Sequence, residues 1–153
     1  MRKLSMSHAD PVDTCFSCYS LRFTRGNEYT YNLGVLGRSF LRYVKLMQHW
    51  KNVLPSGRIM EVRYEDLIAD HEHEARRMLS YLGAPWDPAC LNFLENKRAV
   101  RTASTVQVRK PIYSSSVGRW KHFEKNLAPL LESLNPILIN TSGVKTQSHA
   151  SQR

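Results

Sequence analysis

The sequence predicts an α/β chain that is mostly helical and carries only part of a sheet. Three observations lead there. Apolar residues at helical spacing fill residues 31–54, the alternating stretch RIMEVRY reads as a strand at residues 58–64, and no other segment alternates with the same clarity. A strand needs a neighbour for its backbone N–H and C=O groups, so a lone one implies that the other strands lie elsewhere. At 153 residues the chain is long enough for one core and short for two domains.

Asp10-Pro11 opens the first helix. Asp10 is the N-cap, Pro11 sits in the first turn where its missing N–H costs nothing, and Asp13 lies near the positive end of the dipole. The helix runs through VDTCFSCYSLRF and stops before the polar turn at Gly26-Asn27. In the second helix, NLGVLGRSFLRYVKLMQHWKNVL, residues Val35, Leu36, Phe40, Leu41, Val44, Leu46, Met47 and Trp50 form one broad stripe expected to be buried. Pro55-Ser56-Gly57 ends it.

In the strand, Ile59, Glu61 and Arg63 share one face, and Met60, Val62 and Tyr64 the other. The segment EDLIADHEHEARRMLSYLG then reads as a single helix, with Met78, Leu79 and Leu82 inward and Gly83 as its stop. Pro85-Trp86-Asp87-Pro88 turns into a short helix around CLNFLEN. Further on come a helix from about Val117 and another over residues 126–134. The Ser-, Thr- and Asn-bearing segment 135–153 reads as a flexible tail behind a domain formed by residues 1–134.

Composition narrows the function classes. An apolar fraction of 42%, with three Trp, seven Tyr and five Phe, excludes a disordered chain. The net charge of +9 implies an acidic partner: nucleic acid, an anionic membrane or a phosphorylated small molecule. Most of that excess lies in residues 97–121, KRAVRTASTVQVRKPIYSSSVGRWK, which hold seven Lys or Arg and no Asp or Glu. Thr102, Ser104, Thr105, Tyr113, Ser114, Ser115 and Ser116 stand among the cations. Cations attract an anion, and hydroxyls and loop amides give directional hydrogen bonds, so the stretch reads as a loop that holds phosphate or sulfate oxygens. The plainer alternative is a solvated basic surface.

An odd count of three cysteines argues against a disulfide framework. Cys15 and Cys18 form a C-x-x-C, which fits a redox pair, half a zinc site, or two small helical residues; no second pair completes a metal site. His71 and His73 fall in an acidic helix start and read as solvated. No apolar run reaches membrane-spanning length and no signal peptide is recognisable, so a soluble cytoplasmic protein without a membrane partner or metal is expected.

Three segments, DPVDTCFSCY, EVRYEDLIADHEHEARRMLSYLGAPWD and RTASTVQVRKPIYSSSVGRW, in this order and spacing resemble the sulfotransferase superfamily, and within it the bacterial tyrosylprotein-sulfotransferase-like branch. The likeness runs from Asp10 to Leu134. It implies the C-terminal portion of a P-loop-like sulfotransferase domain with a parallel sheet. It further implies transfer of a sulfuryl group from 3'-phosphoadenosine 5'-phosphosulfate (PAPS) to a hydroxyl acceptor, protein tyrosine among the candidates, with no metal.

Site residues follow from the same resemblance. Ser17, six residues after Pro11, matches a Ser that binds the donor's 3'-phosphate, while Ala9 stands where the family carries an Arg on that phosphate. Tyr64 matches a Tyr on the adenosine side. Ser104 matches the hydroxyl that bonds the transferring sulfuryl group and the 5'-phosphate oxygens. Thr105, Gln107, Val108, Arg109, Lys110 and Pro111 follow the donor-binding segment, and Arg119 takes the place of a cation that meets the 3'-phosphate.

The family's N-terminal strand and its RSGTT-type loop for the 5'-phosphosulfate have no counterpart in the sequence, and neither has the catalytic Glu or His that lies in that part. The chain is therefore expected to be a truncated domain, from a fragment, a late start or a split gene, with a missing segment or second chain as partner. The competing class is a non-catalytic basic module that grips phosphates or nucleic acid by counterion release. Only Tyr113 and Trp120 offer stacking in the loop, which makes nucleic acid the weaker partner.

Overall fold

Among the described residues, β1 (Leu4–His8), α1 (Pro11–Ser20), α2 (Leu33–Val53), β2 (Ile59–Arg63), α3 (Tyr64–Ala69), α4 (His71–Leu82) and α5 (Ala128–Val144) follow in chain order. Short 3-10 helices occupy Glu28–Tyr31, Pro88–Leu91 and Arg119–Asn126. The computed structural model describes residues 4–21, 23, 26–92, 115 and 117–144. The chain divides into two compact units, one of Met1–Ala9 with Lys51–Val117 and the other of Asp10–Trp50 with Gly118–Arg153.

The first unit holds the sheet. β1 and β2 pair in parallel, in register from Leu4 opposite Ile59 to His8 opposite Arg63. The expectation of a solitary strand is thus corrected. LSMSH escapes notice because it is five residues long and lacks the β-branched and aromatic residues that mark strands. β2 buries Met60 and Val62, as its alternation predicts, whereas Tyr64 opens α3 rather than closing the strand.

The single helix expected after β2 is two helices. Asp70 leaves helical geometry (φ -149, ψ 85), and its Oδ1 accepts a 3.0 Å hydrogen bond from the His73 N–H, starting α4 afresh. Gly83 ends α4 in the left-handed region at φ 75, as the sequence suggested. Leu82, expected inward, is exposed. The buried carboxylate of Glu74 receives Arg77 Nε and Nη2, and the same Nη2 donates to the Glu61 carbonyl of β2 at 2.8 Å. Tyr81 Oη donates to the Arg58 carbonyl at 2.6 Å, a second tie from α4 to the start of the strand.

The second unit holds the larger core. Val12, Cys15 and Phe16 of α1, Leu36 of α2, and Leu127, Leu130 and Leu134 at and within α5 form one buried cluster. Where α2 passes α5 the backbones come close: a Cβ on Gly37 would meet the Ser133 Cβ at 2.6 Å. Ser133 Oγ donates to the Gly34 carbonyl at 3.3 Å from the same side.

Two expectations change here. The α2 stripe is buried at Leu36, but Leu46 and Trp50 are exposed; spacing fixes which residues share a face and not whether anything covers it. The helix expected to stop at Leu134 continues to Val144 through Pro136. Pro136 removes one backbone donor, yet Ile137 and Leu138 beyond it pack on the core, and packing outweighs the lost bond.

Candidate functional site

Helix α1 begins on a cap made by its own sequence. Asp10 Oδ1 accepts from the Val12 and Asp13 N–H groups at 2.9 and 3.0 Å, and Pro11 holds the first turn. One turn on, Cys15 and Phe16 face the core while Ser17 is exposed. The helix therefore buries one side and offers a hydroxyl on the other.

The 3-10 helix Arg119–Asn126 docks on α1 through residues far away in sequence. Gly118 precedes it at φ 71, a left-handed conformation that a side chain would strain, and its N–H donates to Asp13 Oδ2 at 2.6 Å. The Arg119 guanidinium lies over the Phe16 ring, 5.2 Å from its centroid. Phe123 stacks on the same ring at 5.1 Å with 30° between planes. Trp120 packs against the core beside them.

Two of the residues matched to the 3'-phosphate, Ser17 and Arg119, are thus exposed side chains in one unit. Arg119 is carried to the aromatic residue next to Ser17 in the chain. A hydroxyl can donate and a guanidinium only donates, so the two together suit a phosphate or sulfate oxygen. Ala9, where an Arg is expected by resemblance, follows β1 in the chain, is half-buried and offers no charge.

Tyr64 belongs to the other unit. It is half-buried and follows Arg63 at the carboxyl end of β2, the edge of a parallel sheet where α/β proteins bind ligands. Ser104, Thr105, Gln107, Val108, Arg109, Lys110 and Pro111 lie outside the described residues.

Sequence reasoning missed Asp13 and Phe16 as residues of this site. Asp13 reads locally as a helix-start acid, and nothing in its neighbourhood announces a partner 105 residues away. Phe16 reads as core, which it is, while one face of its ring also receives Arg119.

The C-x-x-C resolves toward packing. Cys15 and Cys18 are free thiols on α1, and burial, reinforced by Cys18 and Asp10, pushes the Cys15 thiol up to about 12. Burial raises Cys18 as well. A thiol in that range is almost wholly protonated at neutral pH and is a poor nucleophile or metal ligand. Among the described residues no group of three or more His, Cys, Asp or Glu is placed to hold a metal ion, and no helix is long and apolar enough to cross a membrane.

Comparison with known proteins agrees with the α1 and β2 segments. The model of the sulfotransferase family matches residues 6–88, which take in the end of β1, all of α1 and β2, and Tyr64, and stop short of the basic stretch. An uncharacterized protein of Aquifex aeolicus (strain VF5) is 37% identical over 126 residues, covering 80% of this chain and 16% of that protein. The chain thus spans only a small part of that relative's length. With more than half of its residues matched, from the strand before α1 to the turn after α4, the chain belongs to the sulfotransferase family.

Proposed function

We propose that this chain provides the 3'-phosphate side of a PAPS site in sulfuryl transfer to a hydroxyl acceptor, as in the tyrosylprotein-sulfotransferase-like branch. The observation that carries the reading is the docking of Arg119 on Phe16, beside Ser17 in α1. Cation and hydroxyl come from distant segments of the chain, and the family resemblance assigns both to the 3'-phosphate. Family membership supports the reaction class.

In this proposal the acceptor oxygen attacks sulfur in line, its proton passes to a base, and the bond from sulfur to the 5'-phosphate oxygen breaks. Adenosine 3',5'-bisphosphate leaves with that bond's electron pair. Charge gathers on the departing phosphate, where Ser104, Arg109 and Lys110 stabilise it in the transition state. Ser17 and Arg119 hold the distant 3'-phosphate, so that binding energy remote from sulfur orients the reacting bond. Tyr64 takes the adenosine side, and Thr105, Gln107 and Val108 follow the donor-binding segment, as the resemblance implies.

Calorimetric titration of the chain with adenosine 3',5'-bisphosphate, using adenosine 5'-monophosphate as control, tests this directly. Selective binding of the bisphosphate is expected. Ser17→Ala, Ser104→Ala and Arg119→Ala should each weaken it by about 10- to 100-fold, the scale of a lost hydrogen bond to a charged group. Equal affinity for both nucleotides, with steep salt dependence, would instead favour a general anion-binding module. Unchanged affinity in all three variants would remove the site assignment.

A further inference from the structure

We propose that Asp13 is a positioning residue for Arg119, acting through the backbone of Gly118; this inference rests on the 3'-phosphate reading of the α1 site. Three contacts from the segment 118–123 land on two residues of α1. Gly118 N–H donates to Asp13 Oδ2 at 2.6 Å, and Arg119 and Phe123 both lie on Phe16, at 5.2 and 5.1 Å. Asp13 and Phe16 are three apart and so share one face of the helix.

The two kinds of contact do different work. Aromatic stacking fixes Phe123 and leaves the incoming chain free to swing about it. A carboxylate oxygen on a backbone N–H is directional and charge-assisted, and it fixes the chain one residue before the guanidinium. Gly118 is also the N-terminal cap position of the 3-10 helix, which has no side-chain cap bond of its own, so the Asp13 carboxylate stands in for one from outside. Arg119 is exposed, and its long side chain has many rotamers; anchoring its backbone on α1 limits where the guanidinium reaches.

Asp13→Ala removes the acceptor, whereas Asp13→Asn keeps a carbonyl oxygen that can still accept from Gly118 N–H. Both variants of the full chain would be titrated with adenosine 3',5'-bisphosphate and adenosine 5'-monophosphate, and the Gly118 amide followed by hydrogen exchange in NMR spectra. Asp13→Ala should weaken the bisphosphate by about tenfold and leave the monophosphate unchanged, with Gly118 exchanging faster; Asp13→Asn should restore most of both. Wild-type affinity for the bisphosphate in Asp13→Ala overturns the inference. If the wild-type chain shows no preference for the 3'-phosphate, the donor-site reading fails, and Gly118 exchange then decides the tie by itself. Unchanged protection in Asp13→Ala sinks it, and lost protection regained in Asp13→Asn upholds it.

Discussion

Glu74 shows how a single carboxylate can join two elements. Its side chain is 8% exposed, yet it stays charged because Arg77 closes a fork on it and then reaches the Glu61 carbonyl of β2. The Arg77 hydrogen bond holds the Glu74 carboxyl below its ordinary range, against the opposing push of burial, and Glu74 raises Arg77 in return. A folded pKa below the unfolded one gives stability that is present above the unfolded value, near 4.3 for Glu, and is lost as pH falls through the folded value. Urea midpoints of wild type and Glu74→Gln, measured from pH 7 down to pH 3, should therefore converge in acid. At pH 7 the variant should be less stable by about 1–2 kcal/mol, since Arg77 keeps partial access to water. A gap that stays constant with pH would show that Glu74 contributes by packing alone. The local pattern DHEHEARR made an acidic helix start legible, but the Arg77 link to a strand 16 residues earlier has no local mark.

Some helix boundaries are legible in the local sequence and others are not. Asp10 and Gly83 were identified from sequence because a cap and a left-handed stop are local chemistry. The break at Asp70 and the start at Leu4 were not, since the first competes with strong helix formers on both sides and the second depends on a partner 55 residues on. The α2–α5 contact is set by Gly37 and by Leu130, which is 0% exposed. Leu130→Ala should cost about 2–5 kcal/mol, read as a lower urea midpoint, because a close-packed site only partly collapses around the void. A loss well under 1 kcal/mol would mean that the neighbouring leucines refill it. Gly37, with a Ser133 carbon where its Cβ would stand, explains why no larger residue suits that turn of α2.

On the scale of the whole chain, charge and connectivity decide more than any one contact. The basic stretch was the plainest functional signal in the sequence, yet the family match ends at residue 88 and rests on the strand-and-helix portion before it. Connectivity was not legible, because each unit is built from two separated segments. A chain ending at residue 117 would keep both strands but lose Leu127, Leu130 and Leu134, which cover Val12, Cys15 and Leu36. Cys15, 1% exposed in the full chain, should then be alkylated at least tenfold faster at the same pH, with the exposed Cys90 as internal reference. Equal protection of Cys15 in the two chains would show that α1 and α2 hold their core without α5.

The interleaving also sets an order in time. Read from its first residue, β1 finds its partner once residues 59–63 have been made, but α1 and α2 wait for α5. At roughly 5–20 residues per second, the stretch between α2 and Leu127 takes about 4–15 s to synthesise, far longer than helices need to form. Through that interval the apolar faces of α1 and α2 are complete and uncovered. The unit that carries Ser17 and Phe16 is therefore the last to close on a ribosome, and the one most in need of protection while it waits.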